Sequence, residues 1–313
     1  MRSTALARST ARVDRSPRVA RARTPRGRPA RARDGDGDDR DNRPEPTTRR
    51  KTLALALACA RCARGSDARA MVRLIAPDDA NEATFDVERS TTRDEAFAKG
   101  MATMMDGFED AVRARKRALI DDLLAEYDGA KEMTVCEIGA GSAPNARYYA
   151  NASRGPETMD WVGVDPNDSM RAYAEENVAA ANDGGRVKIN ARYVHGVGEA
   201  LPLPDASADA VVSTLTLCSV LDQGRTLREI RRVLKPGGKF LFLEHVLSRD
   251  PSFARLQIAL TPMQISVADG CHLDRRTLDE IEDGGLFSSV NAEYYELDGF
   301  WVIAPQVAGI AVA

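Results

Sequence analysis

From about residue 90 onward, short apolar runs alternate with longer stretches of helical periodicity. Across residues 91–126, Ala96, Phe97, Met101, Met104, Met105, Phe108, Val112 and Leu119 recur near helical spacing, followed by Leu123, Leu124 and Tyr127. That predicts a helix, broken at Gly129. Val135 and Ile138 belong to a short buried strand, followed by a helix over 146–152. Trp161-Val162-Gly163-Val164 reads as the second strand, and the helix after it spans about 168–181 with Asp168 as its N-cap. Asn182-Asp183-Gly184-Gly185 ends that helix, and 187–194 is the third strand. The fourth covers 208–213 and leads into Thr214-Leu215-Thr216-Leu217-Cys218. A helix over 224–235 puts Leu227, Ile230, Val233 and Leu234 on one face and Arg228, Arg231 and Arg232 on a solvated one. Pro236-Gly237-Gly238 is an abrupt stop before a fifth strand over 240–246. Strand and helix alternating in this way predict parallel crossovers. The tail differs. After a helix near 276–283, the runs 290–296 and 306–312 are joined by only about nine residues, too few for a helical crossover, so they pair antiparallel. The expected fold class is α/β: a doubly wound, mostly parallel seven-stranded sheet with a C-terminal antiparallel strand.

Candidate chemistry sits where the first strand turns. In Glu137-Ile138-Gly139-Ala140-Gly141-Ser142-Ala143-Pro144-Asn145, Gly139 and Gly141 remove Cβ atoms where a ligand must approach the backbone. Pro144 suits a first helical turn, whose free N–H groups make a seat for an anionic group. Asp165 ends the second strand, roughly twenty to thirty residues past the glycines, where such sheets bind a ribose diol. A carboxylate there accepts both hydroxyls. A glycine turn of this kind alone is also an ordinary strand-to-helix turn; the ordered strand, turn, helix, strand and acid point to a nucleoside cofactor.

Charge divides the chain. Residues 1–70 hold 19 basic and 8 acidic side chains out of 44 and 47, leaving 25 basic against 39 acidic for the remainder. An acidic body argues against a nucleic-acid partner. Residues 1–33 are Arg-, Ala- and Ser-rich with Asp14 as their one acid, the composition of an organelle transit peptide. Residues 34–48 are rich in Asp, Gly and Pro. Arg49-Arg50-Lys51, an apolar run and Ala58-Cys59-Ala60 then resemble a thylakoid-type export signal, or else an amphipathic part of one transit peptide. The expected layout is a targeting segment over 1–70, an N-terminal helical cap over 71–130 and a catalytic domain over 131–313. The expected address is the chloroplast, with the mitochondrion as the alternative. Cys59-x-x-Cys62 falls in the targeting segment, while Cys136, Cys218 and Cys271 are isolated in sequence, so no metal site is expected and they read as small buried hydrophobes.

Several stretches together resemble the class I S-adenosylmethionine-dependent methyltransferases, a Rossmann-like family: Glu137-Ile138-Gly139-Ala140-Gly141, Asp165, Glu199-Ala200-Leu201-Pro202, Asp209-Ala210-Val211-Val212 and Arg232-Val233-Leu234-Lys235-Pro236-Gly237-Gly238. Within them, Asp165-Pro166-Asn167, Thr214 to Val220, Glu244-His245-Val246 and Asp269-Gly270-Cys271-His272-Leu273 look like the methyltransferase-like 7 group of alkyl thiol methyltransferases. The resemblance covers roughly residues 95–313 and implies S-adenosyl-L-methionine as cofactor. By position it puts Gly139, Ala140 and Gly141 under the methionine part, with Glu137 anchoring that loop or reaching the cofactor amino group through water. Asp165 would hold the ribose, with Pro166 and Asn167 beside the adenine, Gly198 and Glu199 at the adenine edge, and Thr214 and Leu215 near the sulfonium methyl. Two positions depart from the family: Ala143 replaces the third glycine of the loop, and Val197 stands where an acid often receives the adenine amino group.

A sulfonium is a built-in leaving group, so the chain need mainly align a nucleophile and exclude water. A thiol acceptor needs little help, whereas a phenol needs a base. His245, at the end of a strand that faces the ligand crevice, is the candidate base; the alternative is a structural histidine bonded to Asp269 or Glu244. Residues 251–266 form an expected acceptor lid, with Phe253, Leu256, Ile258, Leu260, Met263 and Ile265 apolar, or else core under a loop. The expected partner is a small hydrophobic acceptor, a thiol or a lipid-like phenol or quinone, with peripheral contact to a membrane or lipid globule as a further option. A non-catalytic cofactor-binding or lipid-associated protein and a nicotinamide oxidoreductase remain the competing classes.

Overall fold

A computed structural model describes residues 82–313 of the chain. The expected targeting segment over 1–70, with its Cys59-x-x-Cys62 pair, lies outside the described residues. Short helix α1 (Glu82–Phe85) is followed by α2 (Thr91–Met104) and α3 (Asp106–Ala125), and then by β1 (Glu132–Ile138), α4 (Ala146–Ala150), β2 (Thr158–Asp165) and α5 (Arg171–Asn182). Next come β3 (Lys188–His195), β4 (Ala208–Thr214), α6 (Gln223–Val233), β5 (Leu234–His245), α7 (Pro251–Val267), α8 (Thr277–Asp283), β6 (Ser289–Glu296) and β7 (Pro305–Val312).

The seven strands form one sheet in the order β3-β2-β1-β4-β5-β7-β6. The first five in that order run parallel, while β7 pairs antiparallel with β5 on one side and with β6 on the other. This is the expected mostly parallel sheet with its reversed C-terminal strand. Strand side chains alternate between two cores. Met133, Val135, Met159 and Trp161 pack on one face with Ile120, Leu123 and Leu124 of α3, Tyr149 of α4 and Val178 of α5. Cys136, Ile138, Val162 and Val164 face the other way, onto Leu227, Ile230 and Val233 of α6 and Ile281 of α8. Cys136 is thus the buried hydrophobe expected of it.

Four local expectations change. The helical pattern over 91–126 runs as two helices that meet at Met105. Asn167, not Asp168, caps the turn after β2, its side chain accepting from Ser169 N at 3.0 Å. Pro236-Gly237-Gly238 does not stop the chain before a later strand. It bulges out of β5, whose Leu234 pairs with Ala208 and whose Lys239 pairs with Ala210. The lid is a regular helix, α7, turned the other way from its composition: its buried side chains are Gln257 and Thr261, while Leu256, Ile258, Met263 and Val267 are exposed. Gln257 accounts for this. Its Nε2 donates to Val246 O at 3.1 Å and Val302 O at 2.8 Å, and its Oε1 accepts from Ser248 N at 2.7 Å. The helix docks through hydrogen bonds to loop backbone that would otherwise be buried and unpaired.

Candidate cofactor and acceptor site

The carboxyl ends of β1, β2, β4 and β5 converge on one edge of the sheet, where open α/β sheets bind ligands. Gly139 and Gly141 both adopt left-handed φ, +59° and +52°. At Gly139 the lack of a side chain is also steric: a Cβ would meet Thr216 Oγ1 at 2.2 Å. Thr216 Oγ1 donates to Ile138 O at 3.1 Å, so the turns after β1 and β4 interlock. Ala143 and Leu215, both non-glycine, also have positive φ, +54° and +56°. Backbone held in that region clusters at ligand sites.

Asp165 is buried at the tip of β2. Its Oδ2 accepts from Gly141 N at 2.8 Å and its Oδ1 from Asn167 N at 2.8 Å, so one carboxylate positions both the glycine turn and the chain leading to α5. Burial pushes its pKa up to about 6, opposed by those two backbone N–H groups and by the positive charge of Arg89, and assisted by Asp269. Asn167 donates from Nδ2 to Asp94 O at 3.1 Å, which ties this turn to α2.

Glu137 is fully buried, and its carboxylate is spoken for. Oε1 accepts from Asn145 Nδ2 at 2.8 Å; Oε2 accepts from Tyr149 OH at 2.8 Å and Trp161 Nε1 at 2.9 Å. Gly163 makes the last contact possible, because a Cβ there would lie 2.1 Å from the Trp161 ring. Asn145 Nδ2 also reaches Thr214 Oγ1 at 3.2 Å, linking the start of α4 to the end of β4. Glu137 therefore braces the loop. Burial raises its pKa against the pull of those donors.

Glu199 is occupied as well. Its Oε1 accepts from Leu221 N at 2.5 Å and Asp222 N at 3.0 Å, so the carboxylate is turned to the chain just before α6. Gly198 packs tightly beside it: a Cβ would sit 2.9 Å from Thr226 Cγ2. Glu244, on β5, accepts from Ser213 Oγ at 2.5 Å and Thr216 N at 3.2 Å, with Oε2 buried and unpartnered, and burial raises its pKa.

His245 is buried, and neither Asp269 nor Glu244 bonds it. Its Nε2 and Cys271 Sγ are hydrogen-bonded at 2.9 Å. Cys218 lies beside this pair; the Cys218 and Cys271 sulfurs and a His245 ring nitrogen all fall within 4.8 Å of one another. The neighbouring Cys218 sulfur and then the hydrogen bond with His245 pull the Cys271 thiol below its ordinary range, while the nearby Cys271 sulfur, with burial, pushes Cys218 up. Asp269 instead receives Arg89, whose Nη2 lies 2.8 Å from Asp269 Oδ2 and 2.8 Å from Asp94 Oδ1. His272 and His195 pair elsewhere, with Asp274 at 3.5 Å and with Asp86 at 3.0 Å.

Sequence reasoning did not anticipate Arg89, which straps α2 to the loop after α7, or the gathering of Cys218, His245 and Cys271. A signal for the second existed. β4 and β5 are neighbours; Cys218 follows the carboxyl end of one and His245 is the last residue of the other.

Two clefts flank α2. One, of about 380 Å³, is lined by residues that include Asp86, Arg89, Asp94, Pro166, Asp168 and His195. The other, of about 420 Å³, is mostly apolar, with Phe97, Met101, Met104, Met105 and Val267 among its lining residues. Leu256, Leu260, Met263 and Val267 recur at helical spacing, so one stripe of α7 runs toward the second cleft.

A methyltransferase-domain family matches residues 136–242. The thiol S-methyltransferase TMT1B of Rattus norvegicus is 34% identical over 215 residues, which cover 68% of this chain and 84% of that protein. The thiol S-methyltransferase TMT1A of Homo sapiens is 30% identical over 208 residues, 66% of this chain and 81% of that one. Among solved structures, a chain of the complex between the Haloferax volcanii Trm112 methyltransferase activator and a putative methyltransferase aligns with a TM-score of 0.49 at 18% identity, covering 72% of this chain and 99% of that one.

Proposed function

We propose that this chain methylates thiols on small hydrophobic acceptors, starting from the family to which it belongs: the class I S-adenosylmethionine-dependent methyltransferases of the methyltransferase-like 7, or thiol S-methyltransferase, group. It is an S-adenosylmethionine-dependent methyltransferase. When bound, that cofactor supplies an activated methyl group on a sulfonium that is its own leaving group.

The residues present fit such a ligand. The turn, left-handed at Gly139 and Gly141, leaves the backbone open beside Gly141, and a buried carboxylate, Asp165, stands next to it. In this reading Asp165 accepts the ribose hydroxyls, Gly139, Ala140 and Gly141 underlie the amino-acid part, and Pro166 borders the adenine in the cleft shared with Asp86 and His195, with buried Asn167 fixing that turn through Asp94 O and Ser169 N. Thr214 and Leu215 hold the reacting end. Glu137 acts through Asn145, Tyr149 and Trp161, and Glu199 through the start of α6, each as a positioning residue.

The apolar cleft lined by Phe97, Met101, Met104, Met105 and Val267 carries the acceptor assignment. Polarizable methionine and phenylalanine walls suit a hydrophobic acceptor. A thiol is a few per cent ionised at neutral pH and already strongly nucleophilic, so alignment suffices and no strong base is required. A phenol of the same size stays protonated and calls for one. The test incubates the full chain and S-adenosylmethionine with an alkyl thiol, a phenol and a quinol of matched size and measures S-adenosylhomocysteine released. Methylation of the thiol alone is the expected result. Preferred methylation of the phenol or quinol, or cofactor binding without turnover of any thiol, overturns the reading.

A further inference from the structure

We propose that Cys218, His245 and Cys271 form a binding site for a thiophilic d10 metal ion, Zn²⁺ foremost, through two thiolate sulfurs and one imidazole nitrogen.

The three side chains come from separate segments: the turn after β4, the last residue of β5 and the loop after α7. Their donor atoms nevertheless lie within 4.8 Å of one another, and all three residues are buried. Ligands about 2.3 Å (sulfur) and 2.1 Å (nitrogen) from one tetrahedral ion stand roughly 3.5–4 Å apart, so small side-chain adjustments complete the set. Two sulfurs and one imidazole select zinc or copper(I) over magnesium or calcium, which take oxygen ligands.

The surroundings are built to hold the two sulfur-bearing loops together. His272 N donates to Cys218 O at 2.9 Å. Arg275 spans the same gap, donating from Nη1 to Leu217 O at 2.5 Å and from Nη2 to Val220 O. Gln264 of α7 reaches Cys271 Sγ at 3.5 Å. Outer partners of this kind orient metal ligands. Within the cluster, His245 Nε2 and Cys271 Sγ make one close hydrogen bond at 2.9 Å, whereas Cys218 Sγ has contacts of 3.6 Å to Leu215 O and Ser219 Oγ, and buried His245 Nδ1 has no hydrogen-bond partner among the described residues. Two thiolates balance the ion's charge in this interior.

Three protein ligands leave a fourth position, as in catalytic zinc sites. The three ligands are buried and none lines the apolar acceptor cleft, so the ion site stands independently of the thiol reading above.

The test uses the full chain purified without chelators. Metal analysis should give one zinc per chain, and cobalt(II) exchange should give a thiolate-to-cobalt charge-transfer band. Cys218→Ser and Cys271→Ser should each abolish the stoichiometric metal, whereas Cys136→Ser, on the buried face of β1, should retain it. Calorimetric binding of S-adenosylmethionine reports folding in every sample. A folded, cofactor-binding wild-type chain with far less than one ion and no cobalt band overturns the proposal, as does a Cys218–Cys271 disulfide found by mass spectrometry in that same sample. If the serine variants do not fold, the wild-type cobalt spectrum decides alone. A chain that binds one ion but methylates no thiol overturns the acceptor reading and leaves the site standing.

Discussion

Protonating Asp165 should weaken cofactor binding while relieving a strain on the empty protein. Burial raises this carboxyl to about 6 from the ordinary 3.8. The gap is worth about 3 kcal/mol. The folded chain therefore binds this proton more tightly than the unfolded chain does. Ionised Asp165 subtracts from stability above pH 6, and that loss is progressively removed as pH falls from 6 toward 4. Ribose hydroxyls reverse the preference, because they donate to the ionised form in bonds worth about 1.5–3 kcal/mol each. The dissociation constant of S-adenosylmethionine should be flat above about pH 7 and rise about tenfold per unit below about 6. Asp165→Asn should remove that dependence and weaken binding at pH 8 by about 10–100-fold. Its amide would also turn a donor toward Gly141 N or Asn167 N, both 2.8 Å from the present oxygens. Glu137, Glu199 and Glu244 are raised by burial too, so the difference between wild type and Asp165→Asn isolates this group. Calorimetry from pH 5 to 8, with thermal melts in the presence and absence of cofactor, reads both effects. A wild-type affinity that does not change between pH 5 and 7, or an Asn variant that follows the wild-type curve, refutes the reasoning.

Gly139→Ala combines left-handed strain of about 1–2 kcal/mol with a Cβ 2.2 Å from Thr216 Oγ1, and should lower Tm by roughly 4–8 °C and abolish calorimetric cofactor binding. Gly141→Ala carries the strain alone, since its nearest contact would be 3.9 Å away, so equal melting losses in the two variants would show that the clash with Thr216 is unimportant. Gln257→Leu, although it places a leucine in a buried position, leaves Val246 O, Val302 O and Ser248 N without their partners. It should cost about 3–5 kcal/mol in denaturant unfolding, and a neutral result would remove hydrogen bonding as the reason α7 docks on its polar side.

What could be read from the chain depended on how far apart in sequence the interacting groups lie. The strands, the glycine turn and the reversed last pair rest on short apolar runs and on connection length, both local, and the sheet order matches them. Local pattern misled at α7. There the apolar composition pointed inward, but one buried glutamine outweighs it by satisfying three backbone groups. At Glu199 and Glu137 residue type and position were both visible, but not the donors that occupy their carboxylates. Those donors sit on Leu221 and Asp222 in one case and on Asn145, Tyr149 and Trp161 in the other. The same distance in sequence hid the sulfur cluster. Cys218 and Cys271 read as isolated residues because no short spacing joins them. They meet because β4 and β5 end side by side, and Arg275 and His272 then draw the later loop across that edge. Polar side chains at the carboxyl edge of such a sheet therefore need to be grouped by strand adjacency before spacing is used to exclude a metal site or a base.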